Sequence, residues 1–162
     1  GGVRRRAMEL SGDVSSGLGR AHVFMAQPHY QEQFRALLGK TAWPGTLNVT
    51  VEGSNLIHYI ALRKKSGIDT LDASDEDRAE ATEIEVSDFE AHRIRGFLRD
   101  GVSFGGATAF KAQFKTLSGS IECAILIPDL TRHIDVVEVI AGACLREKFN
   151  LEDGAVVQIK LD

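Results

Sequence analysis

The order of apolar and polar side chains divides this chain into many short alternating stretches and few helical ones. Met8 to Val14 alternates weakly and predicts a first strand, running into the flexible turn Ser15-Ser16-Gly17-Leu18-Gly19. Tyr30, Phe34, Leu37 and Leu38 recur at i, i+4, i+7 and i+8, which predicts an amphipathic helix over His29 to Leu38. Pro28 sits where a first helical turn tolerates proline, and Gly39 can end the helix. After Pro44-Gly45 the segment Thr46 to Val51 keeps a strict period of two. Leu47, Val49 and Val51 share one face of that predicted strand, and Thr46, Asn48 and Thr50 share the other. Further strands are predicted at Thr82 to Val86, Arg93 to Leu98, Ala107 to Lys115, Ser120 to Pro128 and Val136 to Ala141. Leu145 to Phe149 predicts one helical turn, and Asp153-Gly154 turns into a last strand over Ala155 to Leu161.

Many short strands with two short helices predict a mainly β protein, a closed or nearly closed barrel. Helices do not alternate with strands, which argues against a parallel α/β sheet. Residues 8–162 read as one domain, and residues 1–7, opening GGVRRR, read as a short tail or an expression remnant. Lys64 to Glu83 lacks an apolar pattern and collects Asp69, Asp72, Asp75, Glu76 and Asp77, so it reads as a solvated acidic loop or insertion. With 43% apolar residues the 162-residue chain can bury a core without covalent staples. Cys123 and Cys144 are too few for a disulfide framework and read as reduced thiols of a cytoplasmic protein. No run is long and apolar enough for a membrane span. A formal charge of −4 argues against nucleic acid as a partner and confines any anion site to a local cluster.

Candidate chemistry falls in five places. Thr46 and Asn48 lie about 6.6 Å apart along one strand face and offer neutral hard oxygens of the kind Mg²⁺ accepts; an ordinary polar strand face offers the same pattern. The turn Ser16-Gly17-Leu18-Gly19-Arg20-Ala21-His22 can bring backbone N–H groups close to a phosphate, with Arg20 and His22 adding charge. Thr131-Arg132-His133 offers a hydroxyl, a guanidinium and an imidazole at a strand end. Glu138 stands inside the apolar strand Val136 to Ile140, where a carboxylate must meet solvent, a cation or a polar ligand. Leu145-Arg146-Glu147 is the fifth, with Leu145 and Phe149 expected to pack inward. Gly101 to Gly106 faintly suggests a kinase glycine loop, but the chain has neither the catalytic-loop and DFG motifs of protein kinases nor a P-loop.

Taken in order, SGLG, a PxY helix ending in LG, PGTLN, PxxTxH, EVIA and LRE-x-FNL-x-DG form a series. From Leu10 to Leu161 the chain resembles the archaeal CTP-dependent riboflavin kinases. That resemblance implies a six-stranded closed barrel of the cradle-loop type. It implies an enzyme that moves the γ-phosphoryl group of CTP to the ribityl 5′-hydroxyl of riboflavin, giving FMN and CDP; a monomer is expected. It implies Mg²⁺ on Thr46 and Asn48. Nucleotide contacts are implied at Gly17, Leu18, Gly19, Arg20, Ala21 and His22, and again at Cys144, Leu145, Arg146 and Glu147. Flavin contacts are implied at Thr131 and Glu138. For such a transfer, Glu138 is the candidate base or the group that orients the ribityl hydroxyl. The family's second glycine is Ala21 here, and its proline after EVIA is Gly142. The alternative is a flavin- or nucleotide-binding barrel without catalysis, since a fold does not fix a function.

Overall fold

The computed structural model describes residues 7–17, 21–131 and 133–162. Among these residues the elements run β1 (Glu9–Ser15), α1 (Ala21–Met25), α2 (Pro28–Leu38), β2 (Leu47–Thr50), α3 (Gly53–Lys65), α4 (Asp75–Thr82), β3 (His92–Ile94), β4 (Phe97–Arg99), β5 (Val102–Phe104), β6 (Ala107–Thr116), β7 (Gly119–Pro128), β8 (Val136–Ala141), α5 (Leu145–Lys148) and β9 (Val156–Leu161). The longest ladder is the β6–β7 hairpin, paired from Ala107↔Pro128 to Thr116↔Gly119. A slip of one residue there would turn the buried faces of both strands outward, so its register is firmly set.

Six antiparallel strands, in the order β6-β7-β8-β2-β1-β9, close on themselves because β9 pairs back onto the second half of β6, Ala112↔Leu161 to Lys115↔Gln158. Beside the first half of β6, β3 takes the vacant edge. Closure removes the open edges that a flat sheet of these six strands would present. Alternation along each strand then fills the interior: Leu10, Val14, Val49, Phe110, Phe114, Ile125, Ile127, Val137, Val139, Val157 and Ile159 form one buried cluster. The predicted barrel is therefore observed, and β1, β2, β6, β7, β8 and β9 match the strands read from sequence to within about two residues.

On the outside, α2 lays Tyr30, Phe34, Leu37 and Leu38 over Ala109, Ala124, Leu126 and Ile140 of β6, β7 and β8. Gly39 ends α2 in the left-handed region, φ 77°, and its N–H donates to Arg35 O at 2.9 Å. Among the described residues, five helices rather than two accompany the barrel. The largest addition is α3, which faces two ways: Tyr59 and Leu62 enter the barrel cluster, while Ile57, Ile60 and Ala61 pack with Ala81 of α4.

Three expectations are corrected. The acidic run is not a plain loop, because residues 75–82 form α4. Ser74 caps it by accepting from Asp77 N at 3.1 Å, and Asp75, Glu76 and Asp77 sit in the first turn, where negative charge complements the exposed N–H groups. No strand forms at Thr82 to Val86: Thr82 ends α4, and Ile84 and Val86 pack against α3 and the barrel without ladder partners. The strand predicted over Arg93 to Leu98 breaks between β3 and β4. There Gln33 of α2 takes both main-chain groups of Arg95, donating to its oxygen at 3.0 Å and accepting from its N–H at 2.7 Å. Of the glycine-rich segment, Gly101 to Phe104 belong to the β4–β5 hairpin, whose turn residues Asp100 and Gly101 have φ 51° and 76°, and Gly105-Gly106 link it to β6.

Candidate functional site

With the apolar positions of each strand turned into the barrel, the intervening positions line the outer wall. Ladder partners there form one transverse row: Ser15 of β1, Asn48 of β2, Glu138 of β8, Leu126 of β7, Ala109 of β6 and His92 of β3. The row is polar at β1, β2 and β8, then apolar under α2. Thr46 lies just before β2, and its hydroxyl is 3.2 Å from Asn48 Oδ1.

Glu138 is half-buried in this row, between Asn48 and Leu126. Burial pushes its carboxyl above the ordinary range, opposed by a hydrogen bond from Thr46 and by the nearby His133. Thr46 therefore stands between the amide oxygen of Asn48 and the carboxylate of Glu138. The Thr46 hydroxyl donates to Asn48 Oδ1 at 3.2 Å, so two uncharged oxygens of the kind a hard divalent cation accepts sit side by side. The residues present thus fit a hard divalent cation. Among the described residues, no group of three His, Cys, Asp or Glu side chains could hold a metal.

The end of β1 reaches the same place. A Cβ built on Gly17 would overlap Asn48 Nδ2, so any larger residue here would push the Asn48 amide aside. Arg146, on α5, donates through Nη2 to Ser15 O at 3.1 Å and to Asp153 Oδ1 at 2.6 Å. Asp153 Oδ2 accepts from Ser16 Oγ at 2.6 Å. These bonds, Ser16's before Arg146's, hold the Asp153 carboxyl below its usual range.

The structure thus brings together Gly17, Thr46, Asn48, Glu138 and Arg146. Leu18, Gly19, Arg20 and Arg132 lie outside the described residues. Ala21 and His22 open α1. Cys144 precedes α5 at its N-cap, and Glu147 is exposed on that helix. Leu145 packs into the barrel cluster, as its expected inward face requires, so its side chain is part of the core. Thr131 lies on the β7–β8 connection, where its N–H donates to Pro128 O at 3.2 Å.

Sequence reasoning missed Asp153 as the shared partner of Arg146 and Ser16. It also missed a buried pair on α3. Arg63 is 2% exposed and donates to His133 O at 3.3 Å. Tyr59, one helical turn earlier, is fully buried, and among the described residues its hydroxyl has no hydrogen-bond partner. Burial raises the Tyr59 hydroxyl to about 12 although Arg63 beside it lowers it. An arginine closing an apolar helical run, Leu56 to Arg63, was the available signal.

Fold and site together define a small closed antiparallel barrel that carries its polar chemistry on the outer wall. The chain belongs to the CTP-dependent riboflavin kinase family: that family's model, described as the domain of unknown function DUF120, matches residues 14–81 and 68–161. It is 34% identical over 158 residues to a riboflavin kinase of Methanoculleus marisnigri, covering 97% of this chain and 59% of that protein. A riboflavin kinase of Pyrobaculum islandicum is 31% identical over 156 residues, 96% of this chain and 61% of its own. One of Thermoplasma acidophilum is 30% identical over 152 residues, 94% of this chain and 56% of its own. The chain thus spans about three-fifths of the length of the curated relatives it matches.

Proposed function

We propose that this chain transfers the γ-phosphoryl group of CTP to the ribityl 5′-hydroxyl of riboflavin, giving FMN and CDP. The observation that carries this reading is the alignment of Thr46, Asn48 and Glu138 on one outer wall, within a chain of this family. Phosphoryl transfer needs alignment and charge neutralisation more than covalent help. Asn48 and Thr46 would hold Mg²⁺, which supplies positive charge to the phosphate oxygens when bound. Their lack of charge leaves that of the cation for the nucleotide. Gly17 offers close approach to the polyphosphate, and Arg146 brings a guanidinium to the same corner.

Glu138 takes the acceptor side. Its carboxylate would accept a hydrogen bond from the ribityl hydroxyl, orient that oxygen toward phosphorus and receive its proton as the new bond forms. Thr131, on the β7–β8 connection, would contact the flavin with it. All of these groups come from one chain, in keeping with a monomer. The free thiols of Cys123 and Cys144 fit a cytoplasmic setting, and among the described residues no helix is long and apolar enough to cross a membrane.

The deciding experiment incubates the chain with riboflavin, Mg²⁺ and CTP, ATP or GTP at equal concentration and follows FMN by chromatography. FMN formed far faster from CTP is the expected result. A preference for ATP would overturn the donor assignment. Binding of riboflavin and CTP without turnover would replace the kinase by a binding barrel.

A further inference from the structure

The corner where β1 leaves the barrel is braced by a residue to which the proposed reaction gives no role. Asp153 sits in the turn before β9, and its two oxygens serve different elements: Oδ1 accepts from Arg146 of α5 and Oδ2 from Ser16 after β1, each at 2.6 Å. Main-chain bonds run beside them, Gly154 N to Val14 O and Val14 N to Ala155 O, both 2.8 Å. Arg146 reaches Ser15 O and Asp153 through the same nitrogen, Nη2, so neither bond uses the rest of its fork. Ser16 is followed at once by Gly17, whose backbone lies against Asn48. One carboxylate therefore fixes both the guanidinium and the turn that face the same corner.

Resting on the kinase reading above, we propose that Asp153 is a positioning residue of the nucleotide half. It holds Arg146 and the Ser16-Gly17 turn where the triphosphate of CTP is received. Side chains of Arg146 and Asp153 are 35% and 57% exposed. An ion pair that open contributes little to stability, so its worth lies in where it puts the guanidinium and the hydroxyl.

The test compares wild type, Asp153→Ala, Asp153→Asn and Asp153→Ala/Ser16→Ala. CTP affinity with Mg²⁺ is measured by calorimetry, riboflavin affinity by flavin fluorescence, and stability by thermal melting. Asp153→Ala is expected to weaken CTP about tenfold, the loss of one charge-assisted contact set, with riboflavin affinity and melting temperature unchanged. Adding Ser16→Ala should cost little more, because both changes break one brace. Asp153→Asn keeps an oxygen for Ser16 and should fall between; it carries the same readout if the alanine variant does not fold. Unchanged CTP affinity would overturn the proposal. So would a parallel loss of CTP affinity, riboflavin affinity and melting temperature, which marks a general strut. A wild-type chain that binds riboflavin but no CTP would overturn the donor reading and this inference together.

Discussion

Asn48 and Glu138 stand directly opposite each other across the β2–β8 ladder, and the Thr46 hydroxyl, 3.2 Å from Asn48 Oδ1, lies beside both. A neutral oxygen ligand and a part-buried carboxylate thus occupy adjacent strands on one wall. The proposed metal and acceptor roles can be separated by changing one side of this pair at a time.

Asn48→Ala removes a proposed ligand from the outer wall, leaving the inward neighbours Leu47 and Val49 in place. FMN formation should fall at least about 100-fold, in line with losing a metal-held alignment, while the melting temperature without ligands stays near wild type. Steady-state kinetics across a Mg²⁺ titration check this. Wild-type turnover at limiting Mg²⁺ would end the role.

Glu138→Gln keeps shape and an oxygen acceptor but removes the base. If Glu138 receives the ribityl proton, turnover should drop by about 10² or more. Riboflavin affinity should fall modestly, by about 1–2 kcal/mol. A small turnover loss with the same affinity change would leave Glu138 as the group that orients the hydroxyl.

Tyr59→Phe deletes a buried hydroxyl that has no hydrogen-bond partner among the described residues. Since no bond is lost and a desolvated polar group is removed, stability should hold within about 0.5 kcal/mol or rise. Urea unfolding measures it. A loss near ~2 kcal/mol would show that the Arg63 guanidinium beside it binds the hydroxyl in solution.

Asp129 pairs with Arg93 through two bonds of 2.8 Å, tying the end of β7 to β3. Arg93 holds the Asp129 carboxyl below its ordinary range. The stabilisation is therefore present above the ordinary aspartate value and is lost as pH falls through the lowered one. Asp129→Asn should lower stability at pH 7 by roughly 1 kcal/mol or less, because both side chains remain open to solvent. The gap from wild type should close in acid. A gap that stays constant from pH 7 down to about pH 3 would contradict the pairing.

Strands β1, β2 and β9 are legible because each is buried on one side only, as the alternation of Leu47, Val49 and Val51 with Asn48 and Thr50 shows. Strands β6, β7 and β8, covered outside by α2, are legible as short, largely apolar runs. Helix α3, by contrast, is hidden. Its buried residues Ile57, Tyr59, Ile60, Ala61 and Leu62 serve two neighbours, so its apolar stripe is nearly filled in and the 3.6-residue period is blurred. The acidic run reads as a loop as long as Asp75, Glu76 and Asp77 are weighed as solvated charge rather than as the first turn of a capped helix. In the site, Thr46, Asn48, Glu138 and Arg146 can be named from chemistry and resemblance. The Asp153–Ser16 bond cannot, since it joins residues 137 positions apart and no local pattern records it.

The first and last strands of the barrel lie side by side, from Glu9↔Lys160 to Asp13↔Val156, and Leu161 N still donates to Met8 O at 2.9 Å. Because they run antiparallel, a load pulling residues 8 and 161 apart would meet their hydrogen bonds one after another, as a zipper does, and not all at once. Mechanical opening should therefore begin at modest force in the seam between β1 and β9. It would arrive last at Asp13 and Val14, beside the corner where Ser16, Arg146 and Asp153 meet. A circular permutant that joins residue 161 to residue 8 through a short linker would lock that seam, and it should keep the wall of Thr46, Asn48 and Glu138 intact.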